Sequence, residues 1–510
     1  VPTGPYTRRG ARAAAFHAVL LRVPAQAASL LGYVLLVRYL PESEFGVYSL
    51  LYMTLPVVGT LISFGLEDTL RRYQPEYLRK GENRLAHKLA RRVSQLRLAL
   101  ALVFLAIVLI FWDTIAPFFK IAEYREHFLL FALLIVSHFQ CQVLTLSLSA
   151  HLLQKYSVGL TAAFSILKLV GYGLAILIFE FDLWTAIVVD VLAYAIFLVG
   201  LEWAYARKTD RTAGKASRFE PQEIKRVARY AAYYSFNEAG TLSLDNRKDG
   251  LFLAALMDPI SVGAYALANR FNEMIARATP TQLLESVIQP LFVSLDYKRD
   301  PDKIQRYFSL LMTIGLLTKV PVLAFTAVYH HEIVEVLFAG QFLEYSYLLA
   351  VVALFSVGLI IATPATLVAQ LEEKAQVILA SKIFGIYGIA ASLLLIPRLG
   401  VLGAVIASGT SVLFKDLFIW WFVRDLARWK NAASLLGRCA IVWGIFAVIA
   451  LPLQRWLAGY PAALLAIAFI AWCGFFLVQV RFVVAAEHKE IIRNMFSGRE
   501  QRLLQLLGVA

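Results

Sequence analysis

The sequence predicts an all-α membrane protein of about fourteen transmembrane helices. Three observations predict it. Of 510 residues, 59% are hydrophobic and only 16% charged, with a mean hydropathy of +0.66, a balance too apolar for a water-soluble domain. Apolar runs long enough to cross a bilayer follow one another almost without interruption. The basic residues fall mainly in alternate gaps between these runs.

In chain order the predicted spans are residues 13–37, 45–70, 93–115, 128–150, 157–179, 183–206, 229–256, 260–295, 307–329, 346–370, 377–397, 401–423, 438–456 and 462–484. Assigning alternate gaps to opposite sides places about 33 Lys and Arg on one side and about five on the other, which makes the richer side cytoplasmic. Both termini and the basic stretch 207–228 then lie in the cytoplasm. The formal charge of +14 follows this scatter and forms no single face of the kind nucleic acid requires. Segment 485–510 sets Ile491, Ile492, Met495 and Phe496 among Lys489, Arg493 and Arg499, a pattern that suits either an amphipathic surface helix or a solvated tail. Cys141, Cys439 and Cys473 lie in apolar runs without ligand spacing, so neither a disulfide nor a metal site is expected. No Walker, GxSxG or HExxH pattern occurs, and neither a cofactor nor a catalytic residue is expected.

An internal repeat organises the spans. LPESEFGVYSL (Leu40 to Leu50) lies over MDPISVGAYAL (Met257 to Leu267), pairing Gly46 with Gly263, Tyr48 with Tyr265 and Leu50 with Leu267 at an offset of 217. Lys155 to Phe197 lies over Lys374 to Phe414 at nearly the same offset. Six helices separate equivalent points, so the repeats are parallel, a common transporter plan. The predicted division is an N-lobe at 1–206, a cytoplasmic linker at 207–228, a C-lobe at 229–423, a helix pair at 424–484 and a tail at 485–510.

VRYLPESEFGVYSL (Val37 to Leu50), VGAYALANRFNEM (Val262 to Met274) and LLLIPRLGVLGAVIAS (Leu393 to Ser408) resemble segments of polysaccharide-type flippases in the multidrug/oligosaccharidyl-lipid/polysaccharide exporter superfamily. The resemblance spans essentially the whole chain. It implies two bundles in a V around a central cavity, a bacterial inner-membrane location, and translocation of an undecaprenyl-pyrophosphate-linked oligosaccharide. Membrane lipids and other polysaccharide assembly proteins would be the partners, with no nucleic acid. In the lipid II flippase branch, an Arg of the first helix matches Arg22 and one of the eighth matches Arg270. Two further arginines of that branch fall near Ala28 and Thr60 here, which favours a different polyprenyl-linked glycan.

A charge inside a bilayer needs water, a partner or a ligand. Arginine suits a pyrophosphate because its planar fork donates several hydrogen bonds and keeps its charge. Arg22, beside Pro24 and Gln26, is a candidate ligand at a possible helix break, or else a helix-packing arginine bonded to carbonyls. Arg270, Glu273 and Arg277 share one helix face; Arg270 and Arg277 are candidate phosphate ligands, and pairing with Glu273 also accounts for Arg277. Asp245, Arg247, Lys248 and Asp249 form a dense run in the seventh span, either a self-neutralised network or a set that touches cargo or an ion. Lys168 and Lys319 sit mid-helix, as cavity cations or interhelical partners. Asp190 is a candidate coupling acid for a proton or sodium ion, or a salt-bridge partner of Lys168. Arg97, Lys382 and Lys415 are expected to snorkel to the nearer surface. His138, Gln140 and Gln142 read as interhelical glue.

Two rival functions are open at this point. A drug/cation antiporter of the same superfamily would typically have two fewer helices and fewer basic cavity residues. A membrane-embedded glycan polymerase would need a large extramembrane loop, and the sequence offers none.

Overall fold

The computed structural model describes residues 8–209, 219–278, 301–429 and 432–483; the side chains of 8–23, 236, 277–278, 432–433 and 483 lie outside that description. The predicted tail at 485–510 and residues 210–218 of the linker also lie outside it. Among the described residues every regular element is helical. The chain forms two units, Val1–Gly263 and Ala264–Ala510.

The first unit contains α1 (Arg8–Tyr39), α2 (Glu42–Ser63), α3 (Leu66–Arg79), α4 (Asn83–Ile110), α5 (Trp112–Phe118), α6 (Arg125–Ala150), α7 (Gln154–Ile178), α8 (Leu183–Lys208), α9 (Pro221–Leu242) and α10 (Arg247–Leu256). Next comes α11 (Pro259–Ala278). The second unit continues with α12 (Pro301–Phe338), α13 (Leu348–Gly358), α14 (Ala362–Leu371), α15 (Ala375–Ala380), α16 (Ile383–Leu399), α17 (Val401–Val423), α18 (Ala432–Trp456) and α19 (Pro461–Val483).

Eleven helical segments among the described residues are long and apolar enough to span a membrane. They carry large apolar side chains on their outer faces, including Leu102, Ile107, Leu177, Val199, Val448 and Ile470, as a hydrocarbon surround requires. The other three predicted spans correspond to α1, to the pair α9–α10, and to α11, whose description stops at Ala278. Fourteen therefore remains the count expected from sequence.

Local chemistry fixes several boundaries. Glu42 and Glu44 occupy the first turn of α2, where negative charge complements the helix dipole. The Asp182 side chain caps α8 by accepting from the Thr185 N–H at 2.8 Å, a standard way to satisfy an orphan amide. Pro221 opens α9 at a position that has no hydrogen-bond partner to lose.

Three expectations are corrected. The predicted span 45–70 is not one helix: Phe64 and Gly65 take left-handed backbone, at φ 44° and 66°, and separate α2 from α3. A Cβ on Gly65 would overlap the Ala231 carbonyl of α9, so glycine is required by both conformation and proximity. The predicted span 229–256 is likewise interrupted, at residues 243–246, because its charge-dense run lies at the junction of α9 and α10. Conversely, α1 runs through Pro24 without the break expected there.

In the first unit α1 lies along α7, α7 and α8 form an antiparallel hairpin, α6 packs on α8, and α10 packs on α2. In the second, α16 and α17 form the corresponding hairpin, and α18 and α19 pack on α12. Trp472 of α19 donates to the Pro321 carbonyl at 2.9 Å, and Gln454 of α18 donates to Glu332 at 2.6 Å, so α12 is bound to both helices of the terminal pair.

Candidate functional site

Asp190 of α8 is fully buried, as are Arg97 and Asp249 of the same unit. On α7, Lys168 and Tyr172 are four residues apart and share a face; on α2, so do Tyr48 and Tyr52. Packing of these three helices brings all four side chains to the one carboxylate. The Lys168 ammonium is 2.7 Å from Asp190 Oδ1. Tyr48 donates to Oδ2 at 2.8 Å, and Tyr52 and Tyr172 also donate to the carboxylate. Lys168 further donates to the Tyr52 hydroxyl at 3.4 Å. A buried ion is tolerated when it is paired and its lone pairs are filled by donors, as here. The structure thus brings together two sequence candidates, Lys168 and Asp190, and adds three tyrosines that sequence reading left out. The i, i+4 spacing of Tyr48 with Tyr52 and of Lys168 with Tyr172 was the available signal.

The second unit repeats part of this arrangement. Matching the first residues of α8 and α17, Leu183 and Val401, sets Ser408 at the position of Asp190. Tyr265, the repeat partner of Tyr48, has its hydroxyl 3.3 Å from Ser408 Oγ. The same tyrosine contact is kept, with a neutral hydroxyl in place of the carboxylate.

At the α9–α10 junction, Asp245 accepts from the Arg247 backbone N–H at 2.8 Å, which caps α10 from within the charge run. Arg247 Nη1 stands 3.9 Å from the same carboxylate, with 39% of its side chain exposed. Lys248 and Asp249 are buried together at 3.4 Å, and Lys248 also donates to the Asp245 carbonyl. The run therefore divides into a buried neutral pair and a more open pair.

In α11, Arg270 Nη1 lies 3.3 Å from Glu273 Oε2, with 36% of the Arg side chain exposed. Arg277 and Arg22 lie within α11 and α1, but their side chains are outside the described residues. Lys319 is half-buried in the middle of α12 and within electrostatic reach of Asp416 in α17. Asp416 was not singled out from sequence; it is fully buried, 2.8 Å from Lys415 Nζ. The adjacent Lys-Asp pair inside an apolar run was its signature.

Arg97 does not snorkel. It is fully buried, 2.7 Å from Glu67 of α3, donating to Gln142 at 3.1 Å and lying 4.9 Å from the Phe139 ring centre. Gln142 Nε2 is 3.1 Å from one nitrogen of His138, whose other nitrogen is 3.1 Å from the Tyr194 hydroxyl. The polar set on α6 is interhelical glue, with Arg97 as its charged centre.

Outside the spans, Glu76 of α3 pairs with Arg72 and Lys80 of the same surface and accepts two bonds from Arg226 of α9, both at 2.8 Å. These partners, Arg226 foremost, hold its carboxyl down to about 2. Among the described residues no cluster of His, Cys, Asp and Glu has the arrangement of a metal site.

The family model for "Polysaccharide biosynthesis protein" matches residues 35–347. No curated protein matches the chain. Among solved structures, the chain is similar to the lipid II flippase MurJ in an inward closed conformation, at 11% identity and a TM-score of 0.66, covering 94% of this chain and 99% of that one. It is also similar to an inward-facing multidrug resistance MATE family transporter of the MOP superfamily, at 14% identity and a TM-score of 0.63, over 81% of this chain and 99% of that one. The Vibrio cholerae MATE transporter VcmN in its bent form gives 14% identity and a TM-score of 0.52, over 82% and 98%. At these identities the likeness establishes the fold.

Proposed function

Because the chain belongs to the polysaccharide biosynthesis protein family, we propose that it is a flippase moving an undecaprenyl-pyrophosphate-linked oligosaccharide from the cytoplasmic to the periplasmic leaflet of a bacterial inner membrane. Two lobes joined by the basic linker would alternate in exposing the cargo. Arg22, Arg247, Arg270 and Arg277 are the proposed pyrophosphate ligands, with Lys319 as a further cation.

One contrast carries this reading. The carboxylates Asp190, Asp249 and Asp416 are fully buried, whereas Arg247 and Arg270 keep over a third of their side chains exposed, slightly more than their acidic partners Asp245 (29%) and Glu273 (32%). Guanidinium groups this open, at least as exposed as the acids they pair with, favour an anionic cargo over a cationic drug. Arg270 gives one terminal nitrogen to Glu273, and a guanidinium has further N–H donors for phosphate oxygens. Lys168 and Lys248, each held against a carboxylate, are assigned to structure in this proposal.

The test is complementation of a strain lacking its flippase, at matched protein levels in the membrane. Arg22→Ala and Arg270→Ala should each abolish glycan export while still inserting. Lys at either position should restore only part of it, since an ammonium supplies a point charge without the fork. Normal export by both Ala variants would rule out these ligands.

A further inference from the structure

The Asp190 neighbourhood has the composition of an alkali-cation nest. One buried carboxylate is surrounded by the hydroxyls of Tyr48, Tyr52 and Tyr172. A phenol that donates its proton to a carboxylate retains lone pairs that a cation can use. Aromatic faces complete the surround: the Lys168 ammonium is 5.4 Å from the Tyr52 ring centre, 5.5 Å from Tyr172 and 5.7 Å from Phe164, within the range at which ring faces attract a cation. The position a bound cation would take is already filled by the Lys168 Nζ, 2.7 Å from the carboxylate.

The repeat sharpens this reading. At the equivalent place in the second unit Tyr265 meets Ser408, an uncharged pair that needs no cation. The requirement for positive charge therefore goes with Asp190, and Lys168, one helix away and 18% exposed, meets it.

We propose that Lys168 is a tethered cation occupying an alkali-cation site of the first unit, so that Asp190 is neutralised without exchangeable sodium or potassium. A free ion is bound and released; an ammonium on a four-carbon stem can only swing within reach of its backbone. The first unit accordingly keeps its charge balance in any sodium or potassium concentration, and removal of the ammonium exposes a site with the oxygens to take either ion. The inference concerns a site inside one unit and holds whatever the cargo, so its test uses no transport assay.

Full-length protein in detergent is melted in sodium, potassium or choline chloride at equal ionic strength. The unaltered protein is expected to melt at one temperature in all three. Lys168→Ala is expected to melt lower in choline and to recover saturably as sodium or potassium replaces it, and Lys168→Ala with Asp190→Asn is expected to lose that ion-specific recovery. If Lys168→Ala cannot be extracted folded in choline, extraction is repeated in sodium and in potassium. Recovery in either supports the proposal, and equal loss in all three overturns it. The proposal is also overturned by a folded Lys168→Ala that ignores both ions, by recovery that survives Asp190→Asn, or by a saturable sodium or potassium shift in the unaltered protein that Asp190→Asn abolishes.

Discussion

The Arg97 guanidinium of α4, sealed from solvent, stands 2.7 Å from the Glu67 carboxylate that opens α3. The pair joins the helix that follows the Phe64–Gly65 break to the interior of the first unit. Removing one member of a buried pair leaves the other charge uncompensated, which costs more than replacing both. Glu67→Gln should destabilise by roughly 3 kcal/mol, at the lower end of the range for buried pairs, because Glu238 adds a second negative charge near Arg97. Glu67→Gln combined with Arg97→Met should cost less than Glu67→Gln alone. Reversible denaturation in detergent micelles decides it; a double change costing more than the single would contradict the account.

Glu76 supplies a pH signature. Its carboxyl is held at about 2 against an ordinary 4.5, chiefly by Arg226 and Lys80. A carboxylate depressed by folding contributes stability above its unfolded pKa and loses it as the pH falls toward the folded value. The difference in stability between the unaltered protein and Glu76→Gln should therefore be constant above about pH 5 and shrink between about pH 4.5 and 2. Denaturation midpoints across that window test it, and a pH-independent difference would refute the assigned cause.

Gly65 and Gly81 separate conformation from contact. Both have positive φ, 66° and 77°, but a Cβ would overlap the Ala231 carbonyl only at Gly65, and at Gly81 it would meet nothing within 4 Å. Gly81→Ala should cost about 1 kcal/mol, the backbone penalty alone. Gly65→Ala should cost at least about 2 kcal/mol, since the overlap must also be relieved by moving α9 off the α2–α3 break. Equal losses in thermal melts would show that the close approach is unimportant.

Sidedness can be read with two cysteines. A cysteine at Glu180, in the acidic turn between α7 and α8, should react with a membrane-impermeant maleimide from the periplasmic side. One at Arg84, in the basic α3–α4 surface, should react only after the inner membrane is opened. The opposite pattern would invert the proposed topology.

The tyrosines around Asp190 show where sequence reading stopped. Lys168 and Asp190 stand out because a charge in an apolar run is costly and so conspicuous. Tyr48, Tyr52 and Tyr172 do not, because a tyrosine suits a membrane helix as core or interface residue and carries no charge to explain. The closeness of Arg97 to the helix end predicts a surface position, yet the fold surrounds it with α3 and α6. The breaks at Phe64–Gly65 and at 243–246 were also missed, because hydropathy summed over a window does not register a backbone reversal or one charge-rich turn.

The sequence by itself determined that the chain is an all-helical membrane protein; it also set the expected spans, the expected pair of parallel repeats and, through the basic asymmetry of the gaps, the expected orientation. Those properties are local sums: transfer of about 20 residues into hydrocarbon depends on the residues themselves and little on their neighbours in space. Tertiary structure alone decided which charges meet. Helical periodicity states which residues share a face, as with Tyr48 and Tyr52, but not which helix that face will adjoin. Whether Asp190 is an open acid or a sealed ion pair depends on contacts of a few ångströms with residues up to 142 positions away in the chain, and only the packing of α2, α7 and α8 against one another sets those distances.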